Sequence, residues 1–194
     1  MAGSTGWIGY WFWPGLTPPA LPATLVARAD LPADAPTRIK TLHIHFDKDG
    51  DALRSVDGLN FTSPVTEYPL IGSTEKWQFV NLGGGTHMMH IHLLEFQVVQ
   101  RQAIDTAKYL QQWHLMNGHL PVTRPIVVDP TPFLQGSPTP ANAYESGWKD
   151  TVMVPPRSSV RIVFEEETFT GTYVFHCHNL EHEDMAMMST MVVS

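Results

Sequence analysis

Two short segments, His87-Met88-Met89-His90-Ile91-His92 and His176-Cys177-His178, constrain this chain more than any other feature. On an extended strand, successive side chains face opposite ways. Cys177 then points to one side, while His176 and His178 point together to the other. In the upstream segment His90 and His92 share a face, and His87, an odd number of residues from both, takes the opposite one. Laid side by side as strands, the two segments bring His87 and Cys177 to one site and His90, His92, His176 and His178 to another. The pattern asks for a β-sheet with chemistry on both faces.

On the cysteine side, His182 and Met187 follow Cys177 at spacings of five and ten residues. Thiolate, two imidazoles and a thioether are the donors of a blue copper centre, which takes two His and one Cys in a trigonal plane with a weak axial Met. Met188, next in the chain, leaves a second choice for the axial position. A buried, satisfied core histidine explains one such residue, not the six that these segments and His182 make together.

The first segment resembles a His-Pro-x-His-x-His motif. The stretch from His176 to Met187 resembles His-Cys-His-x-x-x-His-x-x-x-x-Met/Leu. Paired in this way, they are similar to the last domain of the multicopper oxidases, a family that includes laccases, bilirubin oxidases and cuprous or ferrous oxidases. The resemblance runs from about Thr37 to the C-terminus. It looks closest to bacterial spore-coat laccases, judged by Gly85-Thr86-His87, Gly147-Trp148-Lys149-Asp150-Thr151 and Leu180-Glu181-His182-Glu183-Asp184. It implies that His87, Cys177, His182 and Met187 hold a type 1 copper, the entry point for electrons. It further implies that His90 holds a type 2 copper, that His92, His176 and His178 hold a type 3 pair, and that electrons leave Cys177 through His176 and His178. Glu183 resembles an acidic residue that supplies protons near the cluster; its alternative is a solvated charge in the acidic run around His182. Glu95 is either a partner fixing a ligand imidazole or a surface residue.

Two departures accompany the resemblance. Met88 stands where the motif has Pro, which restores a backbone N–H beside His87 and points to altered tuning or access, not loss of the site. The family's oxygen-reducing cluster also uses eight imidazoles, four of them from another domain, and this chain supplies only the other four. His43, His45, His114 and His119 remain. His43 and His45 read as a polar strand face, and His114 and His119 as surface residues, so nothing in their spacing completes the cluster. Met185, Met188 and Met191 read as packing residues.

A chain of 194 residues with 43% apolar content builds one substantial core, whereas full members of the family need two or three such domains. The formal charge of −7 offers no basic surface for nucleic acid. A single cysteine between two histidines reads as a ligand and leaves the compartment open.

Residues 1–36 read as a Pro-rich arm with Trp7, Tyr10, Trp11, Phe12 and Trp13, neither a secretion signal nor a membrane span. Its aromatic residues would pack on the chain's own sandwich or on a second subunit, or the arm is a remnant of a larger chain. Residues 37–194 read as one all-β domain, with strands expected at 39–46, 75–81, 90–100, 151–154, 159–165 and 171–176. Turns are expected at Asp47-Lys48-Asp49-Gly50 and Asp57-Gly58. An insertion carries a helix over 105–117, then a Pro-rich loop through Pro138 and Pro140; it borders the substrate surface near His87 or covers an interface left by missing domains. The resemblance makes this sandwich a cupredoxin-like Greek key.

The functional expectation is a copper-binding C-terminal domain of a laccase-like multicopper oxidase. Its partners would be a small aromatic or metal-ion reductant and, in the complete enzyme, oxygen, with no nucleic acid or membrane. Upstream cupredoxin domains, or copies of the chain in a homo-oligomer, would complete the cluster, and the isolated chain would lack full oxidase activity. The alternatives are a stand-alone blue-copper electron carrier and a self-assembling oligomer that shares half-clusters between subunits.

Overall fold

The computed structural model describes residues 31–32, 35–46, 49–50, 52–120, 122–165 and 169–194, so the aromatic cluster of the expected arm lies outside the described residues. Among the described residues ten strands form two layers: β1 (Thr37–Phe46), β2 (Ala52–Val56), β3 (Thr74–Asn81), β4 (His87–Ile91), β5 (Gln97–Ile104), β6 (Leu134–Pro140), β7 (Thr151–Val154), β8 (Ser158–Glu165), β9 (Gly171–Cys177) and β10 (Met188–Val193). One sheet has the order β2-β1-β3-β8-β5-β6 and the other β10-β9-β4-β7. Every pairing is antiparallel except β1 with β3. This is a cupredoxin-like β-sandwich with a helical insertion, the expected fold class.

Alternation of buried and less buried residues sets the inner face of the smaller sheet, as in β4 and β10, where every second side chain is buried. Trp77 fills the middle of the sandwich. Its ring meets Phe79, Phe164 and Phe175 edge-on at centroid distances of 6.3, 5.7 and 4.9 Å. Such pairs contribute about 0.5–1.5 kcal/mol each beyond burial, so the rings lock the spacing of the two sheets on which both histidine clusters depend.

A second apolar cluster lies on the far side of the larger sheet, where α1 (Thr106–Asn117) buries Tyr109 and Trp113 against Val80, Ile104 and Val128. The helix starts where expected because the Asp105 side chain accepts from the Lys108 N–H at 3.2 Å. It ends at Gly118, whose φ of 77° suits a residue without Cβ. Asp57 and Gly58 both have positive φ, 57° and 76°, and Val56 and Leu59 exchange backbone hydrogen bonds around them. That is the two-residue hairpin turn Asp-Gly favours. Lys40 is buried between the carboxylates of Asp57 and Glu67, which ties this turn and the 64–68 segment to β1.

The structure corrects the expectation in four places. The run from His90 to Gln100 is two strands in different sheets: β4 ends at Ile91, Leu93 adopts φ 78°, and the chain crosses the core before β5. The run read as one strand because both ends bury apolar side chains in the same core. The Pro-rich loop contains β6, an edge strand on β5, where Pro138 and Pro140 are tolerated because one side of an edge strand has no partner to bond. The remaining strands beyond the expected set are β2 and β10. Met185 is exposed and accepts from Arg54 Nη1 at 3.1 Å, so it does not pack in the core, whereas Met191 does.

Candidate metal centre

The sheet register brings the two histidine segments side by side, with Met89 opposite Cys177 and His90 opposite His176. Cys177 and His87 therefore turn into the core, and His90 and His176 turn away from it. Asn81 positions the entry to His87. Fully buried, it donates to the carbonyls of Gly85 and Val154 at 2.8 and 2.9 Å and accepts from the Gly83 N–H at 2.9 Å, shaping the loop before β4. The short helix α2 (Leu180–Asp184) delivers His182 from the other side.

The buried cluster is compact. Cys177 Sγ lies 3.6 Å from His87 Nδ1 and 3.3 Å from His182 Nδ1, and the two nitrogens are 3.2 Å apart. The centre of such a triangle lies about 2 Å from each corner, the length of a metal–imidazole bond. Burial lowers the His87 pKa to about 4, helped by His182 and Arg54. Burial also lowers that of His182, again with Arg54. Both rings are then neutral near pH 7, the form that binds a metal. Burial raises the Cys177 thiol, so a cation is what would hold the thiolate there. Donors aimed at one another around a space of this size fit a soft transition ion.

Met187 is fully buried, and its backbone is tied to two members of the cluster: its N–H donates to the His182 carbonyl at 3.0 Å, and its carbonyl accepts from the Cys177 N–H at 3.1 Å. Met188 begins β10, pairs with His176 and is only half-buried. The fold thus favours Met187 over Met188 beside the cluster.

On the opposite face, a donor atom from each of His90, His92 and His176 lies within 4.8 Å of the others. His178 joins them, its ring 5.3 Å from His90 and 5.2 Å from His176. The His92 and His176 Nε2 atoms are 3.1 Å apart. His90 Nδ1 is engaged by the Asp150 carbonyl at 2.9 Å and by Thr151 Oγ1 at 3.1 Å, which leaves Nε2 with the lone pair. Burial and neighbouring imidazoles lower the pKa of His90 and His92. His176 is buried, whereas His92 and His178 are exposed. The cluster is open on one side.

Glu183, on α2, extends Oε2 to 3.5 Å from His176 Nδ1, and that oxygen is buried without a hydrogen-bond partner. It sits between the two clusters, not free in solvent. Glu95 is exposed; the partners that orient the imidazoles are Asp150, Thr151 and the Cys177 carbonyl. Sequence reasoning missed Asp150 and Thr151 in that role, although both fall in the Gly147–Thr151 stretch that helped to carry the resemblance.

The remaining histidines take other roles. His43 is buried, its ring tilted against Trp113 at a centroid distance of 4.4 Å and bonded to Thr41 Oγ1 at 2.8 Å, so it belongs to the α1 cluster, not to an open polar face. His114 bonds the Gly118 carbonyl at the helix end, and His119 is exposed.

Comparison with known proteins agrees with this geometry. The family model described as multicopper oxidase matches residues 30–194. A laccase of Bacillus subtilis is 35% identical over 158 residues, covering 80% of this chain and 28% of its own length. A laccase of Bacillus stratosphericus is 36% identical, covering 75% of this chain and 25% of its own. The crystal structure of a multicopper oxidase from Aquifex aeolicus superposes with a TM-score of 0.62 at 24% identity, covering 90% of this chain and 33% of that one. At that identity the superposition speaks for the fold. The chain thus spans roughly a quarter to a third of the relatives it matches. It belongs to the multicopper oxidase family, as a copper-binding cupredoxin domain of the kind found at the C-terminal end of those enzymes.

Proposed function

We propose that His87, Cys177, His182 and Met187 bind a type 1 copper, that His90 binds a type 2 copper, and that His92, His176 and His178 bind a type 3 pair. The observation that carries this reading is the back-to-back arrangement at the end of β9, where Cys177 faces the buried cluster and His176 and the following His178 face the open one. Copper, when bound, supplies one-electron redox chemistry at the first cluster and oxygen-reducing chemistry at the second. Cys177 joins the clusters covalently, since its backbone leads directly to both neighbouring imidazoles. Glu183 Oε2, beside His176, relays protons toward the open cluster. The core excludes water from the thiolate.

In the complete protein this domain would take electrons from small aromatic or metal-ion reductants and contribute half of an oxygen-reducing cluster. The names of its relatives support that class: laccases, and a bilirubin oxidase of Albifimbria verrucaria at 29% identity. The other four imidazoles would come from upstream cupredoxin domains, with residues 37–194 as one domain behind a 1–36 arm. A second reading, self-association of half-clusters, is favoured by the exposure of His92 and His178.

Copper loading of the purified chain tests the proposal. The expected result is an intense blue absorption that vanishes in Cys177→Ser and bleaches with a one-electron aromatic donor, without sustained oxygen uptake. A copper-loaded chain that stays colourless would overturn the type 1 assignment. Sustained uptake would show that the chain completes the cluster without another domain.

A further inference from the structure

Met88 follows the ligand His87, and its backbone bears directly on the buried cluster. Along β4 the backbone groups alternate in direction. The Ile91 N–H turns toward the β7 side and donates to the Asp150 carbonyl at 3.1 Å, whereas the Met88 carbonyl turns toward β9 and accepts from the His178 N–H at 2.6 Å. The N–H and C=O of one strand residue lie on the same edge, so the Met88 N–H also faces β9. β9 ends at Cys177, and the register sets Met89 opposite it. The Met88 N–H therefore faces the Cys177 end of β9 as a donor that the ladder beyond Cys177 no longer uses. The backbone N–H groups of Met88 and Asn179 both act against burial to lower the Cys177 thiol pKa, as donors close to the sulfur do. A proline at position 88, as in the family motif, has no N–H to give.

We propose that the backbone N–H of Met88 is a second donor to Cys177 Sγ and raises the one-electron reduction potential of the copper held there, which makes Met88 a positioning residue acting through the thiolate. The inference rests on the type 1 reading above. In the oxidised centre the thiolate shares electron density with the metal; after one electron is added from the reductant, more of that density stays on sulfur. A hydrogen-bond donor interacts more strongly with the more negative sulfur, so the reduced form gains more. Hydrogen bonding around the Cys sulfur is one of the levers that set such potentials. The Met88 side chain plays no part in this, because any residue with an N–H provides the same bond.

Potentiometric titration of the blue absorption in the copper-loaded chain tests the inference, with Met88→Pro and Met88→Leu beside the parent. Met88→Pro is expected to shift the one-electron equilibrium about tenfold toward the oxidised form, about 59 mV. Met88→Leu, which keeps the N–H, is expected to titrate with the parent. A proline variant at the parent potential, or a leucine variant displaced as far as the proline one, overturns the inference. Because proline can disturb β4, a second measurement uses the unsubstituted protein. In the copper(I)-loaded, 15N-methionine-labelled chain, the Met88 amide is expected to exchange slowly with solvent and to move downfield relative to the metal-free chain; fast exchange overturns the inference with no variant involved. Absence of blue absorption in the parent would instead overturn the type 1 assignment beneath it, a result distinct from an unshifted potential.

Discussion

Glu183 shows how much one side chain can depend on its surroundings. Its Oε2 is buried, lacks a hydrogen-bond partner and lies 3.5 Å from His176 Nδ1, while the side chain as a whole keeps 30% of its exposure. A carboxyl placed in this way has access to water on one side and to the imidazole cluster on the other. If the domain works within an oxygen-reducing enzyme as proposed, Glu183→Gln there should cut oxygen reduction by about a hundredfold or more, within the range general acids contribute, and leave the blue absorption intact. Stopped-flow reduction and steady-state oxygen uptake on the same preparation separate the two effects. If uptake keeps the parent rate, the proton comes from elsewhere. The shared faces of six of the eight proposed copper ligands were legible in the sequence, because period two assigns faces without any knowledge of the fold, whereas His182 and Met187, beyond β9, rested on donor type and on the family resemblance. Asp150 and Thr151 were not, since a carbonyl and a hydroxyl that orient an imidazole carry no distinctive spacing.

At the scale of elements, β1 and α1 form a unit that stands apart from the metal chemistry. His43 on β1 is buried beneath Trp113 of α1, and burial brings its pKa down to about 3. The unfolded chain, with an ordinary histidine pKa near 6.5, then binds more protons between these values, so stability is full above about pH 6.5 and declines as pH falls toward 3. The slope from this residue is at most about 1.4 kcal/mol per pH unit. Replacing it with glutamine, which keeps a partner for Thr41, should flatten that limb in urea titrations of the metal-free chain. Parallel pH dependence in the two proteins would rule out His43 as a source of acid sensitivity. The sequence predicted α1 and its Asp105 boundary because capping chemistry is local. It did not separate β4 from β5, because the break depends on a left-handed Leu93 and on a crossing between sheets, neither of which leaves a mark in hydrophobicity.

For the molecule as a whole, the contrast between a closed cluster and an open one sets the behaviour in solution. The buried site draws all its donors from this chain, whereas His92 and His178 face outward. Adding copper to the isolated chain should therefore drive association through the open face, reversed by a chelator, and His92→Ala with His178→Ala should abolish it. Sedimentation velocity with and without copper reads this directly; association that ignores both copper and the substitutions would point to some other surface. The formal charge of −7 opposes contact between copies at low salt, so the effect should grow with ionic strength. The two-sheet architecture was legible from turns and alternation, whereas the expectation of further domains came from counting imidazoles, a chemical argument and not a structural one.

The alternation along β9 also makes strand register a guardian of sulfur chemistry. A slip of one residue against β4 or β10 would exchange faces, swinging an imidazole into the dry interior and the only thiol out toward water and oxidants. An exposed thiol beside redox-active copper is open to sulfenic and then irreversible acids. The ladder from Met188 to Val193 against Gly171 to His176 thus does more than close a sheet. It keeps the cysteine reduced by keeping it in step.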